Sequence, residues 1–451
     1  MTSSPTTLSN RQAVLQQLER IERDRAYVGH LDADVGGALD ARGRRQVKEY
    51  VAGITRWRRW LDFLLDTFYH GDFESMERPL QIILRIGVYD LLFLRTPTHA
   101  AVHENVELAK QAVRPGAAGL VNGILRSIDR RREALPEPNT GDSVEDLATR
   151  QSHPTWMVRR WVDRYGLDGA RELVAWNNQR PVYGLRINTL ATSVEAIQQQ
   201  LDEHDIPWAA SPYLDDFVRV QRLQPIIEAG WMDDGRVAVQ DESAGLIGRV
   251  FDPQPGETII DACAAPGGKS IHAALRMQGE GTIHAVDVHA SRMELVMDAA
   301  AAHGTESMIQ PHAADFCAWA TADDAPLADR VLLDAPCSGL GVLAKRADLR
   351  WQRSPSDLDE LTTLQDDLLD AAAQCVRPGG LLVYSTCTIE PEENQQRVMA
   401  FLDRHADYTL APARGAVPDD VLTGDGFLKT RPHVHRIDGA FAARLRRADA
   451  P

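Results

Sequence analysis

The chain has 451 residues, 44% of them hydrophobic and 25% charged, and a formal net charge of −16 at pH 7. Its length suits about three domains. The start is polar, and no later segment approaches 18 uninterrupted apolar residues, so we expect a cytoplasmic protein without a membrane partner. The five cysteines form no CxxC pair, which argues against a disulfide framework and against a bound metal.

The negative charge is unevenly distributed along the chain. Residues 1–140 carry 20 basic and 18 acidic side chains, whereas residues 141–451 carry 29 and 47. Binding to phosphates depends on the Lys and Arg side chains that a surface presents. The N-terminal part is therefore the better electrostatic contact for a nucleic acid.

Apolar residues recur at three- and four-residue spacing from residue 11 to about residue 132. This period predicts an all-α bundle, with its clearest helices at 44–69, 79–94, 99–113 and 119–131. Residues 135–142 contain two prolines and a glycine and predict a linker. We place the first domain at residues 1–138.

Residues 139–236 predict a small α+β linker module. A helical stretch at 145–176 precedes a strand at 185–188, a helix at 193–204 and a strand at 217–220. Its arginines fit either RNA phosphate contacts or a solvated helix face. They are Arg159, Arg160, Arg164, Arg171, Arg180 and Arg186.

Strands and helices alternate in residues 237–451. The predicted strands lie at 258–262, 282–286, 308–311, 330–334 and 380–385, with helices between them, including 355–375 and 392–404. Such alternation predicts a parallel, doubly wound, Rossmann-like sheet.

A turn of small residues joins the first of these strands to its helix. It lacks both the GxGxxG pattern and the P-loop frame, but close backbone approach and free amides at a helix N-terminus suit a nucleoside that carries a carboxylate, such as S-adenosylmethionine. Asp287 follows Asp261 at the spacing that reaches ribose hydroxyls, and Asp315 could accept a hydrogen bond from an adenine amino group. The turn consists of Asp261, Ala262, Cys263, Ala264, Ala265, Pro266, Gly267, Gly268 and Lys269.

Two cysteines follow strands that end at the same edge of the predicted sheet. Cys337 comes three residues after Asp334, and Cys387 two residues after Ser385. Carbon 5 of cytosine becomes nucleophilic only after a thiolate adds to carbon 6, and a thiol with a pKa of ~8.5 needs activation for that task. The pair predicts covalent carbon methylation, and the residues alone leave open which thiol attacks.

These motifs, together with residues 391–394, resemble the Sun-type RNA cytosine-5 methyltransferases, and within them the bacterial RsmB (Fmu) branch that modifies small-subunit ribosomal RNA. Residues 11–132 resemble its NusB-type RNA-binding domain, notably at 84–89, 97–102 and 121–126. The segments 188–190 and 240–244 match its linker module and the entry to its catalytic domain.

The resemblance implies roles for particular residues. Cys387 is then the nucleophile, Cys337 serves product release, and Asp334 faces the cytosine edge. The S-adenosylmethionine pocket is then lined by Cys263, Ala264, Ala265, Pro266, Gly267, Gly268, Lys269, Asp287, Asp315 and Asp334.

Two residues depart from the family pattern. Ala344 and Ala347 stand where the family more often has Arg and Pro, which affects how this loop is expected to bind RNA.

Two alternatives stay open, namely a tRNA cytosine-5 methyltransferase and a non-catalytic NusB-like assembly factor. Both cysteines and Asp334 argue against the second, and we expect a monomer.

Overall fold

The computed structural model describes residues 9–24 and 39–450; the part of the predicted helical pattern at residues 25–38 lies outside them. The chain divides into two compact units. One comprises the residues up to Asn178 together with Lys345–Gln352, and the other comprises Gln179–Ala344 and the residues from Arg353 onward. Among the described residues, no helix is both long and apolar enough to cross a bilayer.

The first unit contains the predicted helical bundle. Its longest helix begins after Asp40, whose side chain accepts a hydrogen bond from the backbone N–H of Gly43, and it buries Leu61, Leu64 and Leu65 completely. The bundle helices are Asn10–Asp24 (α1), Ala41–Phe68 (α2), Arg78–Leu92 (α3), Thr98–Ala112 (α4) and Ala117–Arg130 (α5).

Two further helices complete this unit, Ser143–Arg150 (α6) and Thr155–Asn177 (α7), the second broken at Gly166 with φ 71°. The sequence-distant segment Lys345–Gln352 also packs here. Arg350 is fully buried, and its Nη1 donates to the carbonyl of Ser152 at 3.1 Å. The segment Lys345–Gln352 is thus held within the helical unit, and its Ala347 is buried.

The second unit contains a small antiparallel sheet in the order β2-β3-β1-β4. Two of its strands were predicted, whereas β2 and β4 span three residues each, too few to show a period. The elements are Tyr183–Ile187 (β1), Val194–Glu203 (α8), Trp208–Ala210 (β2), Phe217–Val220 (β3), Gln224–Glu228 (α9) and Val237–Val239 (β4).

The larger sheet of this unit has eight strands. The five predicted strands are parallel, in the order β9-β8-β5-β6-β7. The prediction of a wholly parallel sheet is wrong at one edge, where β12 pairs antiparallel with β9, β10 and β11. The strands are Thr258–Asp261 (β5), Thr282–Asp287 (β6), Ile309–Ala313 (β7), Ala328–Asp334 (β8), Val376–Thr386 (β9), Tyr408–Leu410 (β10), Leu428–Lys429 (β11) and Phe441–Arg447 (β12).

Buried aliphatic strands fix the register of this sheet. Ile260 of β5 pairs with Val331 of β8, and both are fully buried. Three of the five parallel strands then end on an aspartate, so carboxylates line one edge of the sheet. The helices around the sheet are Glu242–Phe251 (α10), Gly268–Arg276 (α11), Ala290–Ala302 (α12), Phe316–Ala320 (α13), Pro355–Cys375 (α14), Gln395–Arg404 (α15) and Pro432–His435 (α16).

Candidate active site at the carboxyl edge of the sheet

The two predicted cysteines meet at the ends of neighbouring strands. Asp334 of β8 pairs in register with Ser385 of β9, so the chain segments that follow these residues leave the sheet side by side. The sulfur atoms of Cys337 and Cys387 lie 3.4 Å apart. Cys387 is exposed, whereas Cys337 is half-buried. The spacing allows both sulfurs to reach one bound base.

Backbone contacts hold the two cysteine segments together. The N–H of Gly341 donates to the carbonyl of Cys387 at 3.1 Å. A Cβ at Gly341 would lie 2.7 Å from that carbonyl oxygen, so only glycine permits the approach. The guanidinium of Arg353 donates to the carbonyls of Cys337 and Ser338, at 3.2 and 3.0 Å.

Asp334 and Lys269 form an ion pair beside the thiols. The Lys269 Nζ lies 2.6 Å from Asp334 Oδ2, and the Ser385 hydroxyl donates to Oδ1 at 2.8 Å. Burial lowers the pKa of Lys269, but the charges of Asp334 and then of Cys387 outweigh it, so this pKa is raised. Lys269 is therefore a partly buried cation near Cys387.

The surroundings of Cys337 favour its protonated thiol. The pKa of Cys337 is raised well above its usual value, first by its contact with Cys387, then by burial and by the nearby Glu393. Cys337 therefore keeps its proton at neutral pH.

The predicted cofactor turn is shaped by a left-handed glycine and by buried polar contacts. Gly267 has φ 99°, which side-chain-bearing residues rarely adopt, and α11 begins directly after it. Asp261 accepts a hydrogen bond from the Ser270 hydroxyl at 2.7 Å. Arg186 is buried and donates to the carbonyl of Gly268 at 2.7 Å, so it supports the turn and cannot belong to an RNA-facing arginine cluster.

The carboxylate of Asp287 closes the same turn from the end of β6. It is 6% exposed and accepts the backbone N–H groups of Ala265 at 3.3 Å and His289 at 3.0 Å. A carboxylate has about four acceptor positions, so acceptor capacity remains for ribose hydroxyls. The glycine cradle, the start of α11 and this buried acid together fit a nucleoside cofactor.

Asp315 and Cys263 both make structural contacts within the catalytic fold. Asp315 is exposed and caps α13 by accepting the N–H of Ala318 at 3.0 Å. Burial raises the pKa of the Cys263 thiol, which packs against the buried core under the sheet edge. Their places in the cofactor pocket stay predictions.

Residues 393 and 394 belong to a motif for which the sequence predicts no role, yet they organise the site. Glu393 is fully buried and accepts the backbone N–H of Ser338 at 2.7 Å. Asn394 donates to the carbonyl of Thr388 at 3.0 Å. The sequence shows three glutamates shortly after Cys387, namely Glu390, Glu392 and Glu393, but not which of them contacts the cysteine segments. In the described ranges, no group of three or more His, Cys, Asp or Glu side chains could hold a metal.

The fold and site define a Rossmann-like methyltransferase that also carries a NusB-type helical domain. Residues 249–446 match the 16S rRNA methyltransferase RsmB/F family, residues 8–130 the NusB family, and residues 153–227 the ferredoxin-like domain of RsmF/B-like methyltransferases. These matches follow the predicted order of a helical domain, a small α+β module and a catalytic domain. The predicted boundaries near residues 138 and 236 stay predictions.

Curated relatives match over nearly the whole chain. The probable ribosomal RNA small subunit methyltransferase B of Bacillus subtilis is 33% identical, over 97% of this chain and 99% of that protein. The protein of the same name from Synechocystis is 34% identical, over 98% and 100%. The chain therefore belongs to the RsmB/F methyltransferase family and is an enzyme, which confirms the predicted family.

Solved structures show the same architecture. The crystal structure of PH0851 is 26% identical and superposes with a TM-score of 0.81 over 99% of both chains. A methyltransferase homolog protein from Pyrococcus horikoshii, also 26% identical, covers 68% of this chain and 99% of its own with a TM-score of 0.59. The predicted fold class is thereby confirmed.

Proposed function

We propose that this enzyme transfers a methyl group from S-adenosylmethionine to carbon 5 of a cytosine in small-subunit ribosomal RNA. The reaction proceeds through a covalent bond between Cys387 and carbon 6 of the base. The observation that carries the proposal is the pair of sulfur atoms 3.4 Å apart, beside the Lys269–Asp334 ion pair. An enzyme that methylates an exocyclic nitrogen or an oxygen needs no thiol, and this site presents two.

The two thiols take different roles because Cys387 is exposed and Cys337 is half-buried. The exposed Cys387 sulfur adds to carbon 6, and the electron pair of the carbon 5–carbon 6 double bond becomes available at carbon 5. The Lys269 cation stabilises the attacking thiolate. Asp334 faces the edge of the base, where its carboxylate accepts a hydrogen bond from the exocyclic amine.

Cys337 acts after methyl transfer. Once the Cys387 sulfur is bonded to carbon, it is uncharged and its hydrogen bond with Cys337 weakens, so the contact that most raises the Cys337 pKa is relieved. Cys337 then releases its own proton to solvent and, as a thiolate, takes the proton from carbon 5. The electrons of that C–H bond reform the ring double bond, the carbon 6–sulfur bond breaks, and Cys387 regains its electron pair.

The cofactor turn supports S-adenosylmethionine, which when bound supplies a methyl group on a positively charged sulfur. Residues 263–269 line the nucleoside, and Asp287 accepts hydrogen bonds from its ribose. Asp315, which follows the neighbouring strand β7, accepts a hydrogen bond from the adenine. Asp334 lies between the cofactor and the target base. Arg186 and Gln240 hold the Gly268 carbonyl, at 2.7 and 3.3 Å, and keep the turn in place.

The substrate assignment rests on the relatives' names and on the domain composition. The relatives from Bacillus subtilis and Synechocystis are named for the small ribosomal subunit, and the NusB-type domain supplies the less acidic part of the chain for contact with RNA. A base must leave its stack to reach the thiols, at a cost of a few kcal/mol that is smaller in a loop. The enzyme acts as a monomer in the cytoplasm.

Bisulfite sequencing of total RNA from cells with and without the gene tests the proposed function. We expect one cytosine of small-subunit ribosomal RNA to lose its protection when the gene is deleted, and to regain it on expression of the wild-type protein. Loss of protection in tRNA instead would move the substrate, and unchanged protection throughout the RNA would contradict cytosine methylation.

A further inference from the structure

The fully buried carboxylate of Glu393 hydrogen-bonds to both chain segments that carry the reactive cysteines. The Oε1 atom of Glu393 accepts the backbone N–H of Ser338 at 2.7 Å and the side-chain amide of Gln365 at 3.1 Å. Its Oε2 atom accepts the Ser338 hydroxyl. A buried carboxyl group is costly unless such donors pair with it, so this arrangement holds Ser338, the residue that follows Cys337.

The same carboxylate also holds the segment that follows Cys387. The Thr388 side chain hydrogen-bonds to Glu393, and its hydroxyl lies 2.8 Å from the Ser338 hydroxyl. One acidic side chain therefore contacts the residue after each reactive cysteine. The spacing between the two cysteine segments therefore depends on this carboxylate.

The backbone of Glu393 is itself fixed to the sheet. The phenol of Tyr384 on β9 donates to the Glu393 carbonyl at 2.6 Å. Next to it, Asn394 accepts from the Thr386 hydroxyl at 2.6 Å and donates to the Thr388 carbonyl at 3.0 Å, so it contacts the residues on both sides of Cys387. The carboxylate is thus attached to the rigid part of the fold.

We propose that Glu393 is a positioning residue that sets the distance between the Cys337 and Cys387 sulfurs and so controls the breakdown of the covalent intermediate. This inference rests on the proposed covalent mechanism. Formation of the intermediate needs only Cys387, which is exposed, whereas its breakdown needs Cys337 beside the same base. A displacement of about 1 Å at a reacting group can slow a step by about 100-fold, and the slowed step here is breakdown.

The test compares Glu393→Gln and Glu393→Ala in the full-length enzyme, with Glu360→Gln on the exposed face of α14 as the matched control. Single-turnover reactions with a ribosomal RNA fragment and S-adenosylmethionine are sampled on denaturing gels, which measure formation and decay of the protein–RNA adduct. We expect Glu393→Ala to slow decay about 10- to 100-fold with little change in formation. Glu393→Gln, which keeps an acceptor for the Ser338 N–H, should recover part of this loss.

A residue with only a structural role would reduce the amount of active enzyme and leave both rate constants unchanged. That result, or equal slowing of formation and decay, would overturn the positioning role. If Glu393→Ala does not fold, Glu393→Gln alone decides, because it changes one atom. Cys337→Ala, measured in parallel, separates the two hypotheses. If Cys337→Ala accumulates a stable adduct and the Glu393 variants do not, only the positioning role of Glu393 is refuted. If Cys337→Ala forms no adduct, the covalent mechanism is refuted as well.

Discussion

Replacement of Asp287 by alanine tests the cofactor site most quantitatively. The carboxylate is 6% exposed, and its two oxygens accept the N–H groups of Ala265 and His289. The substitution removes the acceptor for the ribose and the contacts that close the turn. Hydrogen bonds to a charged group contribute about 1.5–3 kcal/mol, so the dissociation constant for S-adenosylmethionine should rise about 10- to 150-fold.

Isothermal titration calorimetry measures this change directly. Asp298→Ala on the exposed face of α12 is the matched control and should bind the cofactor like the wild type. Circular dichroism confirms that each variant is folded, since the unpaired amides cost at most a few kcal/mol of stability. Equal affinity of Asp287→Ala and the wild type would refute the assignment of Asp287 to the cofactor.

Three further predictions concern stability and RNA binding. Arg350→Met leaves buried carbonyls of the helical unit without their donor, so it should lower the free energy of unfolding by about 3 kcal/mol in denaturant titrations. The control Arg126→Met, at an exposed position, should change it by less than about 0.5 kcal/mol. Equal effects of the two substitutions would contradict the anchoring role of Arg350. Burial raises the pKa of Asp261 to about 6, so the folded state binds the proton more tightly than the unfolded chain, and stability falls as pH rises from about 4 to about 6. Relative to the wild type, Asp261→Asn should therefore gain about 2.4 kcal/mol between pH 4 and pH 7, and a pH-independent difference would contradict this. Alanine at the exposed Arg42 and Arg45 should make the salt dependence of RNA binding shallower by about 1.5–2 in logarithmic slope, and an unchanged slope would place the phosphate contacts elsewhere.

Substitution is a better test of the N-terminal domain than truncation, because its helices pack with later residues. The backbone N–H of Arg59 in α2 donates to the Ser152 hydroxyl at 3.0 Å. The indole of Trp351 donates to the carbonyl of Thr55 at 2.6 Å. A chain that begins near residue 141 would lose these contacts, and its weaker RNA binding would have two explanations.

The parts of the fold that the sequence predicted are those with a strong period or a sharp boundary. Helices such as α14 match the prediction at both ends because Pro355 stands at the first position and the apolar stripe continues to Cys375. The antiparallel strands β10, β11 and β12 were missed. Two of them have only two or three residues, and pairing at a sheet edge is decided by tertiary contacts.

The candidate site was likewise only partly predictable from the sequence. Cysteines and aspartates at strand ends could be located because parallel strands bring their carboxyl ends to one edge. The sequence could not show that Arg186 turns inward to the Gly268 carbonyl, or that Asp315 caps α13, because both depend on side-chain direction. The buried position of Glu393 likewise arises only when the segments after β8 and β9 pack together.

The most direct test of covalent catalysis is the protein–RNA adduct on a denaturing gel in the presence of S-adenosylmethionine. Cys337→Ala should accumulate an adduct that survives denaturation, because the carbon 6–sulfur bond forms and is not released. Cys387→Ala and the double variant should form none and should not methylate, while RNA binding stays measurable. An adduct with Cys387→Ala in place of Cys337→Ala would reverse the two roles, and full methylation by both single variants would contradict the covalent mechanism.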